Sequence, residues 1–537
     1  LLIKHLLATP LIYSPDHEIV YRNILRYTYR DLGKRIARLA GALTRLGVAP
    51  GDTVAVMDWD SHRYLECFFA VPMMGAVLHT INVRLSPEQL IYTINHAEDD
   101  VILVNRDFLP LLEPIRDKLT TVRRFILLSD IADPAPTAVP LAGEYEQLLS
   151  AAPDTFDFPD FDENTMATTF YTTGTTGLPK GVFFSHRQLV LHTYGVMFAL
   201  CAYNSQADIG SKDVYMPITP MFHVHAWGMP YLMTHLGAHQ VYPGRYEPDT
   251  LLGLIAKEKV TYSHCVPTIM HMLLSSPAAQ HTDLSGWKVI IGGSALPRGL
   301  AQAAIAKGIN IFTGYGMSET CPVLTIANLK PEMLKLSGAD QIPIRCRTGL
   351  PISGVQLEVV APNGKPLPHD GHTTGEVVVR APWLTQGYLK DERKSEELWA
   401  GGWLHTGDIG FIDEQGYLQI TDRLKDVIKT GGEWVSSLAI EDIVSQHPAV
   451  AEVAVIGVPD TKWGERPLAL VVPRPNFKEE LAGSPDLIRN FILEQAEKGA
   501  IPKYAVPDRV IIVEAIAKTS VGKLNKREIR KQYGGVE

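Results

Sequence analysis

The sequence predicts an α/β fold: a large N-terminal domain of doubly covered sheets with a small β-barrel-like subdomain, then a small α+β C-terminal domain. Three observations carry this expectation. Helical stripes alternate with continuous apolar runs through the first half of the chain, the pattern of a largely parallel sheet covered on both faces. From Arg347 the pattern changes to short β-like runs separated by turns. The length, 537 residues, corresponds to about three or four structural units.

Thr28-Tyr-Arg-Asp31 has the form of a helix start of the Thr-x-x-acid type. Leu32, Ile36, Leu39, Leu43 and Leu46 then form one apolar helical stripe, and Gly47 ends it. Val54-Ala-Val-Met57 is strand-like, residues 64–73 read as a helix, and another apolar strand surrounds Val77. Ser86-Pro-Glu-Gln89 opens a helix, with proline at the first helical position and glutamine able to close a capping box. Val101-Ile-Leu-Val104 is again strand-like, and residues 154–163 form an acidic connector. Residues 262–272 read as a strand running into a helix. Pro362-Asn-Gly364 and Glu414-Gln-Gly416 mark turns of the β-rich part, about 345–422. Beyond it, strands at 451–456, 468–472 and 510–513 and an amphipathic segment at 487–496 form the C-terminal α+β unit.

Composition narrows the function. Hydrophobic content of 46% and charged content of 20% are those of an ordinary globular chain. A net charge of −9 argues against a general nucleic-acid binder. The five cysteines are scattered, with no CxxC pair or ligand spacing, and read as free thiols in a reducing compartment. The longest apolar run, Cys67 to Ile81, contains Pro72 and Gly75 and is too short to span a membrane. No signal-peptide pattern is visible, so a cytoplasmic enzyme without an integral membrane segment is expected. The chain begins at Leu1 rather than Met, which leaves the completeness of the natural N-terminus open.

The most informative stretch is Phe170-Tyr-Thr-Thr-Gly-Thr-Thr-Gly-Leu-Pro-Lys-Gly-Val-Phe-Phe-Ser-His186. A strand precedes it, and a short strand, Val182-Phe-Phe184, comes after it. Between them, glycines let backbone N–H groups converge on an anion, threonine hydroxyls add donors, and Lys180 adds a charge. The loop is not a Walker A, since Lys180 is followed by Gly181 rather than by serine or threonine. A flexible surface loop is the plain alternative.

The pattern Tyr-Thr-Thr-Gly-Thr-Thr-Gly-x-Pro-Lys-Gly-Val resembles the phosphate loop of the adenylate-forming superfamily, with Thr173 where serine is usual. Further motifs succeed it in that superfamily's order, and the resemblance extends from about Thr28 to Lys526. The chain most resembles the acyl-CoA synthetase branch, and within it medium-chain fatty-acid–CoA ligases.

The resemblance implies a role for each motif. Thr172, Thr173, Gly174, Thr175, Thr176 and Lys180 would hold the ATP phosphates, with Thr175 among the catalytic groups. Pro220-Met-Phe-His-Val-His-Ala-Trp-Gly228 places His223 and His225 two apart, so that on a strand they would share a face. By residue type they are a metal pair or core histidines; the resemblance makes His223 a catalytic residue of the acyl site and Trp227 a pocket wall. Val289-Ile-Ile-Gly-Gly-Ser-Ala295 is a strand ending in a glycine turn, where ligands often sit. Gly292, Gly293 and Ser294 would then form a surface for adenine. In Gly314-Tyr-Gly-Met-Ser-Glu319, Tyr315 offers a ring for adenine, Glu319 a hard oxygen for Mg²⁺, and Gly316, Met317 and Ser318 complete the wall. Gly293, Gly316 and Pro322 join His223 and Trp227 around the acid.

Asp408, by composition a loop carboxylate, would accept the ribose hydroxyls, and Arg423 would contact ribose. Residues 423–427 would be a hinge centred on Lys425, between an N-terminal domain (1–422) and a mobile C-terminal one (428–537). Lys429, Gly431, Gly432 and Trp434 would serve the nucleotide and the approach of the second substrate. Lys523, on an apparently exposed turn in Lys518-Thr-Ser-Val-Gly-Lys523, would be the adenylation lysine.

The implied reaction joins a carboxylic acid to coenzyme A with ATP and Mg²⁺, through an acyl-AMP. No arginine or lysine is apparent to pair with a second carboxylate, so a monocarboxylate is expected. Medium-chain or branched fatty acids come first, then small aromatic or thioether acids. A carrier-protein acceptor, a homodimer, and a non-catalytic nucleotide- or acyl-binding protein stay open.

Overall fold

The structure is a computed structural model that describes residues 1–131, 137–172, 178–431, 433–519 and 522–535, with the backbone alone at Trp434. Two large sheets form the N-terminal domain. The seven-stranded one runs Leu141–Glu144, Arg124–Leu128, Asp99–Asn105, Thr53–Met57, Val77–Thr80, Met166–Thr172, Lys180–Ser185. Its pairings are parallel except for the last hairpin. The nine-stranded one has a parallel centre through His239–Tyr242, Val214–Pro217, Tyr262–Cys265, Lys288–Ile291 and Asn310–Gly316, with antiparallel strands at both edges.

Local chemistry explains the framework. Val54, Ala55, Val56 and Met57 are fully buried, as a strand covered on both faces requires. The helix Tyr29–Arg45 starts at a capping box between Thr28 and Asp31 and buries Leu32, Ile36, Leu39 and Leu43. Gly47 follows it with φ +90°, a conformation that costs a side chain but not a glycine. The helix Pro87–Ala97 likewise starts at a capping box between Ser86 and Gln89.

The β-rich subdomain is a four-stranded antiparallel sheet, Gln356–Val360, Gly375–Arg380, Leu404–Ile412, Leu418–Arg423. Its first and last strands are not paired with each other among the described residues. The smaller C-terminal domain is built on the long hairpin Val450–Asp460 and Gly464–Pro473, with Arg509–Ile512 beside it. Strand alternation divides its core. Val453 and Val455 face the helices Ser437–Ser445 and Asp486–Glu497, while Ala454 and Ile456 face Ile529 of the helix Lys526–Tyr533. Among the described residues no helix is long and apolar enough to cross a membrane.

Candidate active site

The carboxyl ends of the parallel strands open into a cavity of about 2310 Å³, closed on one side by the C-terminal domain. The hairpin Met166–Thr172/Lys180–Ser185 pairs Thr172 with Lys180, so both ends of the glycine-rich loop meet at the cavity wall. Thr173, Gly174, Thr175 and Thr176 lie outside the described residues.

Tyr388, which the sequence did not single out, connects Lys180 to Glu319. Its hydroxyl donates to Glu319 Oε1 at 2.7 Å, and its ring receives Lys180 Nζ at 4.3 Å from the centroid. The neighbouring Leu389 N–H donates to the Gly181 carbonyl, holding this tyrosine against the strand that comes after the loop. Nothing around Gly387-Tyr388 marks it locally, since its partners lie 69 and about two hundred positions away.

The histidine segment differs from expectation. Residues 220–228 are not a strand, and His223 and His225 do not share a face. Val224, His225, Ala226 and Trp227 all take positive φ, between 48° and 61°. Such a turn costs roughly 1–2 kcal/mol per residue for L-amino acids, so surrounding contacts must impose it. Asp60 accepts from Met221 N–H at 2.9 Å, and Thr80 Oγ1 donates to the Phe222 carbonyl at 2.9 Å. At its end Gly228 has φ +73°, and a Cβ there would lie 2.8 Å from the His192 ring.

The reversal sends the two histidines apart. His225 is packed among Phe68, Phe170, Phe184 and Tyr231, and neither ring nitrogen has a hydrogen-bond partner among the described residues. His223 faces the cavity, where burial, with Lys523 nearby, brings its pKa down to about 3. It is a neutral wall at pH 7. The metal-pair reading therefore falls, and no cluster of three metal-ligating side chains exists among the described residues.

Trp227 and Gly292 meet. A Cβ on Gly292 would lie 2.8 Å from the indole, so the absent side chain is what lets Trp227 pack there. Gly292 therefore borders a side pocket of about 30 Å³, whereas Gly293 and Ser294 reach the main cavity. Pro322, Met317 and Ile326 also line the side pocket. Gly316 admits the Pro322 carbonyl, which a Cβ would meet at 1.8 Å. Gly314, Ser318 and Tyr315 border both spaces.

At the polar end, the Tyr315 hydroxyl donates to Asp408 Oδ2 at 2.7 Å and Arg423 Nε lies 3.3 Å from Oδ1. Asp408 and Arg423 are cross-strand partners, which explains their pairing. Burial raises the Asp408 pKa, and Arg423 and Tyr315 oppose that shift.

Lys523 departs most from the sequence reading. Gly522 and Lys523 are not exposed: the Gly522 carbonyl accepts from Thr268 Oγ1 at 3.1 Å, and the Lys523 side chain packs onto Gly293. The fold thus brings it into the same cavity as Glu319, Asp408 and Lys425. Burial, helped by Arg423, lowers its pKa to about 8 against the pull of Asp408 and Glu319. A lowered lysine pKa means that the ammonium is lost as pH rises through that value. For the adenylation lysine that the resemblance implies, kcat/KM for ATP in acyl-AMP formation should therefore fall as pH rises through about 8. Lys523→Arg should lack that descent in whatever activity it retains.

Lys429 and Gly431 sit on the hairpin Ile428–Thr430/Glu433–Val435, outside the cavity lining. Lys429 is exposed, and Gly431, with φ +62°, packs against the Trp463 ring. Gly432 and the Trp434 side chain lie outside what is described.

Residues 13–389 match the AMP-binding enzyme family, and residues 439–523 match the AMP-binding enzyme C-terminal domain. The chain belongs to the AMP-binding enzyme family. It is similar to the long-chain-fatty-acid–CoA ligase of Thermus thermophilus, 42% identical over 95% of this chain and 90% of that one. The 3-methylmercaptopropionyl-CoA ligase of Ruegeria lacuscaerulensis is 39% identical over 99% and 97%. The medium-chain-fatty-acid–CoA ligase of Ectopseudomonas oleovorans is 35% identical over 96% and 92%. Among solved structures, an anthranilate CoA ligase in complex with anthranoyl-AMP superposes with a TM-score of 0.86 at 25% identity, covering 99% of this chain and 97% of that one. This AMP-binding enzyme falls in the acyl-CoA synthetase branch and is an AMP-forming acid–thiol ligase.

Proposed function

We propose that this ligase activates short, apolar monocarboxylic acids as acyl-AMP and transfers them to coenzyme A. The observation that supports the short acid is the side pocket against Trp227. Its lining is mostly apolar, and Lys523 is the one cation in it among the described residues. Its volume of about 30 Å³ holds two or three atoms, since one water-sized centre needs roughly 10–15 Å³. Such a space suits the tail of a short aliphatic or thioether acid, shorter than the medium-chain acids placed first from sequence. With His223 neutral, the described lining of the pocket offers no cation besides Lys523 to meet a second carboxylate.

In the first step a carboxylate oxygen attacks the α-phosphorus of ATP, the α–β bridging bond breaks, and pyrophosphate leaves. Lys180 holds the departing phosphates, Asp408 and Arg423 hold the ribose, and Lys523 meets the charge gathering on the transferred phosphate. Mg²⁺ would be held by Glu319 with phosphate oxygens and water, the usual arrangement for a cation that rarely takes an all-protein cage. The residues fit that role: Glu319 is 7% exposed, lines the cavity and is oriented by Tyr388. When bound, the ion supplies charge neutralisation between two anions.

In the second step the coenzyme A sulfur attacks the acyl carbonyl and AMP leaves. Lys523 has no task there. Rotation about residues 423–427 would withdraw it and carry Lys429 and Gly431 toward the site.

The test is pyrophosphate release with ATP and Mg²⁺ across unbranched acids of increasing length, branched and thioether acids, with and without coenzyme A. The expected result is a kcat/KM maximum among short acids and faster turnover with coenzyme A. A maximum among long-chain acids would overturn the short-acid reading and leave the ligase class intact.

A further inference from the structure

The helix Arg298–Ala306 starts without a cap of its own. Its N-cap residue is Pro297, which has no side-chain acceptor, and its first turn carries no acidic residue. The acceptor comes from the C-terminal domain. Asp442, on the helix Ser437–Ser445, accepts from the Arg298 backbone N–H at 3.0 Å, and its other oxygen lies 3.2 Å from Arg298 Nε. One residue on, the backbone of Ser445 comes so close that a Cβ on Gly299 would lie 2.3 Å from its carbonyl oxygen. The helix that walls the cavity is thus capped by the unit that carries Lys523.

We propose that Asp442, with Arg298 and Gly299, is a positioning element for Lys523: an inter-domain helix cap that holds the C-terminal domain in the orientation for acyl-AMP formation. The proposal rests on the reading of Lys523 as the adenylation lysine.

Orientation is what the cap controls. Arg298 and Asp442 keep 46% and 30% of their side-chain exposure, so the ion pair alone holds little. A backbone N–H is different. It cannot follow the carboxylate if the domain turns, and at a helix start it also offers the positive end of the helix dipole to an anion. The Gly299–Ser445 approach is equally directional, because two backbones meet without an intervening side chain. Rotation breaks all three contacts together and leaves the helix uncapped. The cap therefore acts as differential stabilisation of one of two orientations. Its partial exposure keeps it weak enough to open in each cycle.

The test compares half-reactions. Asp442→Ala should lower acid-dependent ATP–pyrophosphate exchange on the order of tenfold, the scale of one lost charge-assisted hydrogen bond. Thioester formation from supplied acyl-AMP and coenzyme A should be unchanged or faster, which also reports that the variant is folded. Asp442→Asn, which keeps an acceptor oxygen, should recover part of the exchange. Gly299→Ala should show the same split as Asp442→Ala. Equal loss in both half-reactions, or unchanged exchange, would overturn the cap. Lys523→Ala run alongside separates the two readings. Exchange lost in Lys523→Ala but intact in Asp442→Ala overturns the cap alone. Exchange intact in Lys523→Ala overturns the lysine reading itself.

Discussion

Lys523→Ala is expected to lower acyl-AMP formation by about 10²–10³-fold, the cost of removing one preorganised donor from a developing oxyanion. Thioester formation from supplied acyl-AMP should be largely spared. The asymmetry comes from where the lysine sits. It enters the cavity on a turn held by Thr268 and packs on Gly293, with Glu319 and Asp408 as the anions that act on it. On the proposed reading it therefore serves the phosphate chemistry in this orientation and takes no part in displacement of AMP. ATP–pyrophosphate exchange measures the first half; coenzyme A thioester from synthetic acyl-AMP measures the second. Equal loss in both would reject the two-orientation scheme.

Trp227→Ala should change which acid is used. The indole closes the side pocket against Gly292, and its removal leaves a larger apolar space open to the acyl tail. A methylene accommodated or lost in such a pocket is worth about 1–3 kcal/mol, so the kcat/KM ratio of longer to short acids should rise on the order of 10- to 100-fold. Short acids should lose activity, because their tails no longer touch a wall. The same acid panel run on wild type and variant checks this. An unchanged ratio would remove Trp227 from the pocket wall.

Much of the framework is legible in the chain because its signals are local. Thr28, Asp31, Ser86 and Gln89 cap their own helices within a few residues. Val54 to Met57 shows its burial on both faces by having no polar member. Glycine turns after strands mark the cavity wall at Gly293 and Gly316. The histidine pair misleads for an equally local reason. Alternate spacing puts two residues on one face only in a strand, and here Asp60 and Thr80, each well over a hundred positions away, hold the segment in a left-handed turn. The composition around Val224 gives no warning of that, since β-branched residues normally avoid positive φ.

By itself, then, the sequence determined the order of elements, the glycine- and threonine-rich loop motif and the set of chemical groups available: hydroxyls, carboxylates, two lysines and an apolar wall. These depend on residue type, spacing and periodicity, which a linear chain carries in full. Only the tertiary structure decided which groups meet. It put Lys523 in the cavity rather than on an exposed turn, joined Glu319 to Lys180 through Tyr388, moved Gly292 to the side pocket beside Trp227, and capped the helix at Arg298 with Asp442. Each of these is a contact between residues tens to hundreds of positions apart. Such contacts are set by how sheets and domains pack, and no local pattern in the chain encodes them.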